Sequence, residues 1–194
     1  MAMDDELYTK LEIRHQWLDR VQEEIIDPSR RIVDPHHHFF AETLDFPHYD
    51  LQDLWADTGT HNVEQTVYLQ CWEGYRKEGP QELRVVGETE WVDTIATQAK
   101  QRAQAAQIGA IVGTAELRTG AAGRPVLEAH QRASSLFRGI RQPAAWDNSE
   151  TLPSMPGIND ATLYNEPKFR DGFAVLADMK LSYDAYQYLS LIHI

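Results

Sequence analysis

Three consecutive histidines, His36, His37 and His38, follow a short stretch, Arg31 to Val33, whose β-branched residues predict a strand. Side chains two residues apart on an extended segment point the same way, so His36 and His38 share one side and His37 faces the other. Imidazole nitrogens bind zinc at about 2.0–2.1 Å. The spacing therefore predicts that His36 and His38 bind one divalent metal ion, for which we expect zinc. A solvated cluster of histidines on a loop is the alternative that the pattern leaves open.

Other polar side chains stand where predicted strands end. Gln70 and Glu73 close or follow a predicted strand over residues 63–70, and Arg141 lies near the end of another over residues 137–142. A guanidinium can bind a carboxylate through two parallel hydrogen bonds. We therefore predict that Gln70, Glu73 and Arg141 contact a small-molecule substrate. For Arg141, an ion pair of purely structural purpose is an equally good interpretation.

The elements that must position these residues alternate along the chain. Hydrophobic periodicity predicts strands over residues 31–33, 63–70, 108–117, 137–142 and 181–188, and helices over residues 4–26, 50–56, 88–107, 125–134 and 168–180. Alternating strands and helices are typical of a parallel sheet with right-handed crossovers. The sequence therefore predicts an α/β fold.

Two α/β architectures fit that order, an open doubly wound sheet and a (β/α)8 TIM barrel. The glycine patterns of nucleotide-binding sheets, G-x-G-x-x-G and G-x-x-x-x-G-K-[ST], are missing from the chain. We therefore expect the barrel, whose active sites lie at the C-terminal ends of the strands, as the histidine pair does. A barrel has eight repeats in about 250 residues. About five βα units in 194 residues predict an incomplete, N-terminal part of one.

The composition of the chain limits the classes of molecule that it is expected to bind. The chain has 18 Lys+Arg against 30 Asp+Glu, a formal charge of −12 that repels phosphate backbones and anionic lipids. No apolar run reaches the ~20 residues of a membrane span, and the acidic N-terminus lacks the features of a secretory signal. The single cysteine, Cys71, cannot form an internal disulfide. We expect a cytoplasmic protein with a small-molecule substrate and no nucleic-acid or membrane partner, with a homo-oligomer left open.

Residues 32–38, Ile-Val-Asp-Pro-His-His-His, resemble the D-x-H-x-H opening of the amidohydrolase superfamily, and specifically its amidohydrolase-related (amidohydrolase 2) metal-dependent hydrolases. The same resemblance extends to Val-Gly-Glu-Thr-Glu-Trp at 86–91, Phe-Arg-Gly-Ile-Arg-Gln at 137–142 and the stretch 172–184, and covers residues 31 to 188. It implies a metal-dependent hydrolase that acts on a lactone, amide or related carbonyl substrate through metal-activated water. Only His36 and His38 carry over as metal ligands.

The resemblance also implies groups that this chain does not supply. In the family, further histidines from the fifth and sixth strands and an aspartate from the eighth complete the site, so the catalytic base is unknown here and is expected beyond the chain end. Some members need no metal. A metal-independent lactonase or decarboxylase on the same barrel and a catalytically inactive half-barrel fragment are the alternatives.

The chain divides into three parts on this interpretation. Residues 1–30 form an N-terminal amphipathic helix, and residues 31–188 form the partial amidohydrolase-related barrel domain. Residues 189–194, Leu-Ser-Leu-Ile-His-Ile, are one translation of a transposon end used in sequencing libraries, and we interpret them as an artificial tail. His193 is therefore not counted as a ligand.

Overall fold

The computed structural model describes residues 20–21, 23–41, 46–149, 152 and 161–191 of the chain. Strands and helices alternate through these residues. The strands are β1 (Ile32–His37), β2 (Val63–Leu69), β3 (Gln107–Gly113), β4 (Phe137–Arg141) and β5 (Ser182–Asp184), and the α-helices are α1 (Leu51–Thr58), α2 (Val86–Ala99), α3 (Arg124–Ala133) and α4 (Pro167–Asp178). Short 3-10 helices cover Gln81–Leu83, Leu117–Gly123, Leu163–Asn165 and Leu189–Leu191.

The five strands form one parallel sheet in the order β1-β2-β3-β4-β5. Each strand pairs with its neighbour in the chain, so every crossover advances the sheet by one position in the same direction. Because all strands run the same way, their C-terminal ends lie along one edge of the sheet. The residues that follow β1, β2 and β4 are thereby brought to the same end of the molecule.

The prediction of a (β/α)8 TIM barrel, present as an incomplete part of about five βα units, is wrong. The described residues form a single curled sheet with two open edges, β1 and β5, and no pairing between them closes it. The α/β alternation itself agrees with the prediction. Hydrophobic periodicity specifies neighbouring parallel strands, but closure depends on pairing between the first and last strands, which no local pattern encodes.

Two apolar clusters pack the helices onto one face of the sheet. The first joins α1 and α2 to β2 and β3, and its members are Phe39, Leu51, Leu54, Tyr68, Cys71, Val92, Ala96, Ala99, Ile108 and Ile111. The second joins α3 and α4 to β4, and includes Val126, Leu127, Phe137, Ile140, Phe169, Val175 and Leu176. Since side chains alternate along a strand, Arg141, the neighbour of Ile140 in the second cluster, faces the opposite side of the sheet.

Several predicted boundaries shift. The helix predicted over residues 88–107 ends at Ala99, because residues 100–106 form turns whose carbonyls at Arg102 and Ala105 accept hydrogen bonds from the side-chain amide of Gln107. The predicted strand over residues 181–188 shortens to Ser182–Asp184. Most of the helix predicted over residues 4–26 lies outside the described residues, and residues 23–26 are not helical.

Candidate functional site

The imidazoles of His36 and His38 meet at the C-terminal end of β1. Their Nε2 atoms lie 3.1 Å apart, and their ring planes are nearly perpendicular, at 88°. Two nitrogens bound to one tetrahedral ion at 2.0–2.1 Å are about 3.3 Å apart. The observed spacing fits a shared ion closely, and it equally fits a hydrogen bond in which one ring N–H donates to the other ring.

A backbone carbonyl orients His38. Its Nδ1–H donates to the Leu69 carbonyl oxygen at the end of β2, over 2.7 Å, which leaves the Nε2 lone pair directed towards His36. Burial, and after it the charge of Arg141, lower the pKa of His38 to about 4. His38 is therefore a neutral imidazole at pH 7, the form that binds metals. Asp34 Oδ1 accepts the His36 amide at 3.0 Å, where the pairing of β1 with β2 is irregular between Asp34 and His37.

The middle histidine faces the helices, as the two-residue period predicts. The Nε2 of His37 shares a hydrogen bond of 2.9 Å with the Thr66 hydroxyl, and its ring packs edge-on against Phe39 and Tyr68. Burial lowers the pKa of His37 to about 4. His37 is thus a neutral residue of the core, on the far side of the sheet from its two neighbours.

A cavity of about 190 Å³ opens beside the histidine pair. It is lined by His36, His38, Phe40, Phe46, Cys71, Trp72, Arg141, Pro143 and Tyr186. Most of this lining is apolar, and the Phe40 and Phe46 rings stack at 4.5 Å. Apolar walls with a few convergent polar groups are typical of small-ligand sites. The volume equals that of about six water molecules, so the cavity suits a small ligand.

Arg141 brings a buried positive charge to this cavity. Its Nη2 donates to the Gln70 carbonyl, and its guanidinium lies 5.6 Å from the centre of the Tyr186 ring. Burial lowers its pKa, against the attraction of Asp184. The Nε–H has no hydrogen-bond partner among the described residues.

Asp184 places a negative charge beside the positive charge of Arg141. No role for this residue was predicted from the sequence. It is the register partner of Arg141 in the β4–β5 pair, so both side chains stand on the concave face. Its negative charge raises the pKa of both Arg141 and His38, against the larger effect of burial. In the described part of the chain, its carboxylate makes no hydrogen bond or ion pair. Asp184 ends the observed strand β5, and its place beside Arg141 follows from the register of β4 with β5.

The other two predicted substrate residues lie off the cavity lining. Gln70 is fully buried, and both atoms of its side-chain amide lack partners within the described residues. It contributes its carbonyl to Arg141. Glu73 is half-buried, which raises the pKa of its carboxyl group, and it accepts a hydrogen bond from the Ala41 amide. Substrate contact by Gln70, Glu73 and Arg141 stays a prediction.

A second group of possible ligands is better explained by helix capping. Of the described His, Cys, Asp and Glu side chains, His48, Asp50 and Asp53 place three ligand atoms within 4.8 Å of one another. However, Asp50 Oδ1 accepts the amides of Gln52 and Asp53 at the start of α1, and Asp53 Oδ2 accepts the Asp50 amide. This is a capping box with exposed side chains. These contacts explain the Asp50 and Asp53 side chains as the N-terminal cap of α1.

Comparison with known proteins gives one curated relative of unassigned function. The chain is 28% identical over 177 residues to "Uncharacterized protein y4mH" of Sinorhizobium fredii (strain NBRC 101917 / NGR234), a match that covers 81% of this chain and 54% of that protein. The chain therefore spans about half the length of the curated relative it matches. No family model matches the chain, and no solved structure matches it. Among the described residues, no helix combines the length and apolar character that a membrane crossing requires.

Proposed function

We propose that this chain carries the active-site pocket of a metal-dependent hydrolase that acts on a lactone, amide or related small carbonyl substrate. The observation that supports it most is the convergence of the His36 and His38 Nε2 atoms, 3.1 Å apart, beside the buried guanidinium of Arg141. A neutral imidazole oriented by a backbone carbonyl, as His38 is, is a usual ligand of a catalytic zinc ion. A divalent ion held by this pair, expected to be zinc, would polarise the carbonyl and lower the pKa of bound water towards ~7.

The chain's own residues have separate tasks in this proposal. His36 and His38 hold the ion, and the Leu69 carbonyl fixes the ring of His38. Arg141 supplies a positive charge at the cavity wall for an oxygen of the substrate. Asp184 balances the charge of Arg141 from the adjacent strand. The aromatic lining excludes water, which strengthens each of these electrostatic contacts.

The expected partners follow from size and charge. A cavity of about 190 Å³ limits the ligand to a small molecule. The formal charge of −12 disfavours nucleic acid and anionic membrane surfaces. The cytoplasmic location and a homo-oligomeric state stay predictions.

A metal-independent lactonase or decarboxylase at the same pocket is the second candidate. One observation favours it. In the described part of the chain no third His, Cys, Asp or Glu ligand atom joins those of His36 and His38 within 4.8 Å, whereas catalytic zinc usually has three protein ligands. On this alternative, His36 and His38 exchange a proton with the substrate, and Arg141 binds its carboxylate.

Cobalt(II) binding, followed by its visible absorption and by calorimetry, tests the first proposal on the whole chain. We expect one ion per chain, and we expect His36→Ala and His38→Ala each to weaken binding at least ~10-fold, as loss of one ligand does. His61→Ala is the matched control, because His61 lies on an exposed turn before β2. Hydrolysis of lactones and amides with added zinc is then measured on the same variants.

Two outcomes would overturn the metal-dependent proposal. One is the absence of cobalt binding by the folded wild-type chain. The other is binding that His61→Ala weakens as much as His38→Ala does. Hydrolysis that is unaffected by a chelator but abolished by His38→Ala would favour the metal-independent alternative.

A further inference from the structure

The segment after β2 carries part of the cavity wall in an unusual conformation. Cys71 and Trp72 both line the cavity, and Trp72 itself is 46% exposed. Trp72 has φ 68°, in the left-handed region that residues with a large side chain rarely adopt. Such a conformation persists only where the surrounding structure imposes it.

A single buried carboxylate oxygen contacts the backbone on both sides of Trp72. Glu88, in the first turn of α2, is 1% exposed. Its Oε1 accepts the amide N–H of Cys71 at 2.7 Å and that of Glu73 at 3.3 Å, the two residues on either side of Trp72. The same oxygen accepts the Tyr68 hydroxyl at 2.8 Å. Glu88 thus holds the backbone of the segment on both sides of its strained residue.

The same network reaches the strand that carries the histidines. The Cys71 thiol lies 3.2 Å from the Tyr68 hydroxyl and donates to the Phe39 carbonyl at 3.3 Å. Phe39 directly follows His38. The contacts of Glu88 therefore extend through Tyr68 and Cys71 to the end of β1.

The segment passes directly over the start of α2. A Cβ atom at Gly87 would lie 2.5 Å from the Arg76 amide nitrogen and 2.6 Å from the Gly74 carbonyl oxygen, so only glycine allows this approach. Arg76 also forms an ion pair with Glu90, one turn further along the helix. These contacts place the Glu88 carboxyl group beneath the segment, where water does not compete for its Oε1.

We propose that Glu88 is a positioning residue that sets the cavity wall formed by Cys71 and Trp72, and that it thereby determines the shape of substrate that the cavity accepts. The effect on substrate shape rests on the proposed function. The link between Glu88 and Trp72 does not rest on the proposed function, because it concerns only contacts within this chain. Glu88 itself does not line the cavity.

The indole N–H resonances of ¹⁵N-tryptophan-labelled protein test this link. Trp72→Phe identifies the Trp72 resonance, and Trp55 and Trp146 report whether the fold is intact. We expect Glu88→Leu, which removes the acceptor, to shift or broaden the Trp72 resonance. We expect Glu88→Gln, which keeps an oxygen acceptor, to restore it. Gln98→Leu, at an exposed position of the same helix, is the control, and its Trp72 resonance should stay in place.

Amide hydrogen exchange in the wild-type chain provides a measurement that needs no variant. Cys71 and Glu73 lie outside every helix and strand, so we expect their amides to exchange slowly because Glu88 accepts both, with the Cys71 thiol as a further acceptor for the Glu73 amide. In a folded Glu88→Leu variant we expect both to exchange about 10- to 100-fold faster, as for the loss of a hydrogen bond to a charged group.

The proposal is overturned by either of two results. One is fast exchange of the Cys71 and Glu73 amides in the folded wild-type chain. This measurement tests the proposal even if the Glu88→Leu variant does not fold. The other is a folded Glu88→Leu variant with a wild-type Trp72 resonance. Cobalt binding is measured on the same samples. No cobalt binding by the wild-type chain, together with a displaced Trp72 resonance in Glu88→Leu, would count against the proposed function alone. Normal cobalt binding together with an unchanged Trp72 resonance in Glu88→Leu would count against this proposal alone.

Discussion

At the scale of single residues, the site depends on polar groups that are removed from water. Arg141 is 5% exposed and Glu88 is 1% exposed, and each makes specific hydrogen bonds that offset part of the cost of burial. His130 shows the purely structural version of the same arrangement. Its two ring nitrogens contact the Thr89 hydroxyl and the Thr114 carbonyl inside the core. Buried polar residues of this chain therefore serve both the fold and the cavity.

Glu88 gives stability a characteristic dependence on pH. Burial raises the pKa of Glu88 to about 7, against the hydrogen bonds from Cys71 and Tyr68, from 4.5 in a free side chain. Between these values the folded chain holds a proton that the unfolded chain has released. The free energy of unfolding contributed by this group is therefore greatest below pH 4.5 and falls by up to ~3 kcal/mol as pH rises through about 7.

Urea unfolding at pH 5 and pH 8 measures this effect in the wild type and in Glu88→Gln, which does not titrate. We expect the variant to lose less stability than the wild type between the two values. An identical change in both proteins would contradict the assignment of this proton to Glu88.

At the scale of elements, the pairing of β4 with β5 positions the charges of the site. Gly139, Ile140 and Arg141 pair with Ser182, Tyr183 and Asp184, which places Arg141 beside Asp184. The strands approach closely at Gly139, where an added Cβ would contact the backbone oxygen and the hydroxyl of Ser182. A side chain at this position would force the two strands apart.

Gly139→Ala should therefore destabilise the protein by about 1–3 kcal/mol, the usual cost of overpacking, and should disturb Arg141. Gly109→Ala, on β3, is the control, because its Cβ would meet mainly the movable end of the Gln65 side chain, at 2.8 Å. Thermal and urea unfolding of both variants measure the difference. A Gly139→Ala protein as stable as Gly109→Ala would mean that β4 and β5 do not pair in this register.

At the scale of the whole molecule, the curl of the sheet assembles the cavity. Strands are spaced about 4.8 Å apart, so β1 and β4 of a flat sheet would lie about 14 Å from each other. Yet His36 and His38 from β1 line the same cavity as Arg141 from β4. The concave face of the sheet therefore brings together residues from its first and fourth strands.

The net charge acts on the molecule as a whole. With a formal charge of −12, mutual repulsion destabilises the compact state, and salt screens it as the Debye length shortens from about 30 Å at 0.01 M to about 8 Å at 0.15 M. We expect the free energy of unfolding to rise between these salt concentrations, measured by urea unfolding at pH 8. A fall in stability would show that attractive pairs, such as Arg31 with Glu64, outweigh the repulsion.

The sequence alone determined the features that depend on neighbours along the chain. The two-residue period of a strand predicted that His36 and His38 share one side and His37 the other, and the three rings lie that way. Hydrophobic periodicity predicted the alternation of strands and helices. Both follow from local backbone geometry, which a few consecutive residues specify.

The tertiary structure alone decided which distant residues meet. Glu88 lies on a helix and carries a charge, features typical of a surface residue, yet it is buried against residues 15 to 20 positions earlier. Asp184 acquires its neighbour Arg141 through strand register, and the sheet stays open because β1 and β5 do not pair. Register, burial and closure are set by packing between elements remote in the chain, where the free energy of many contacts outweighs any local preference.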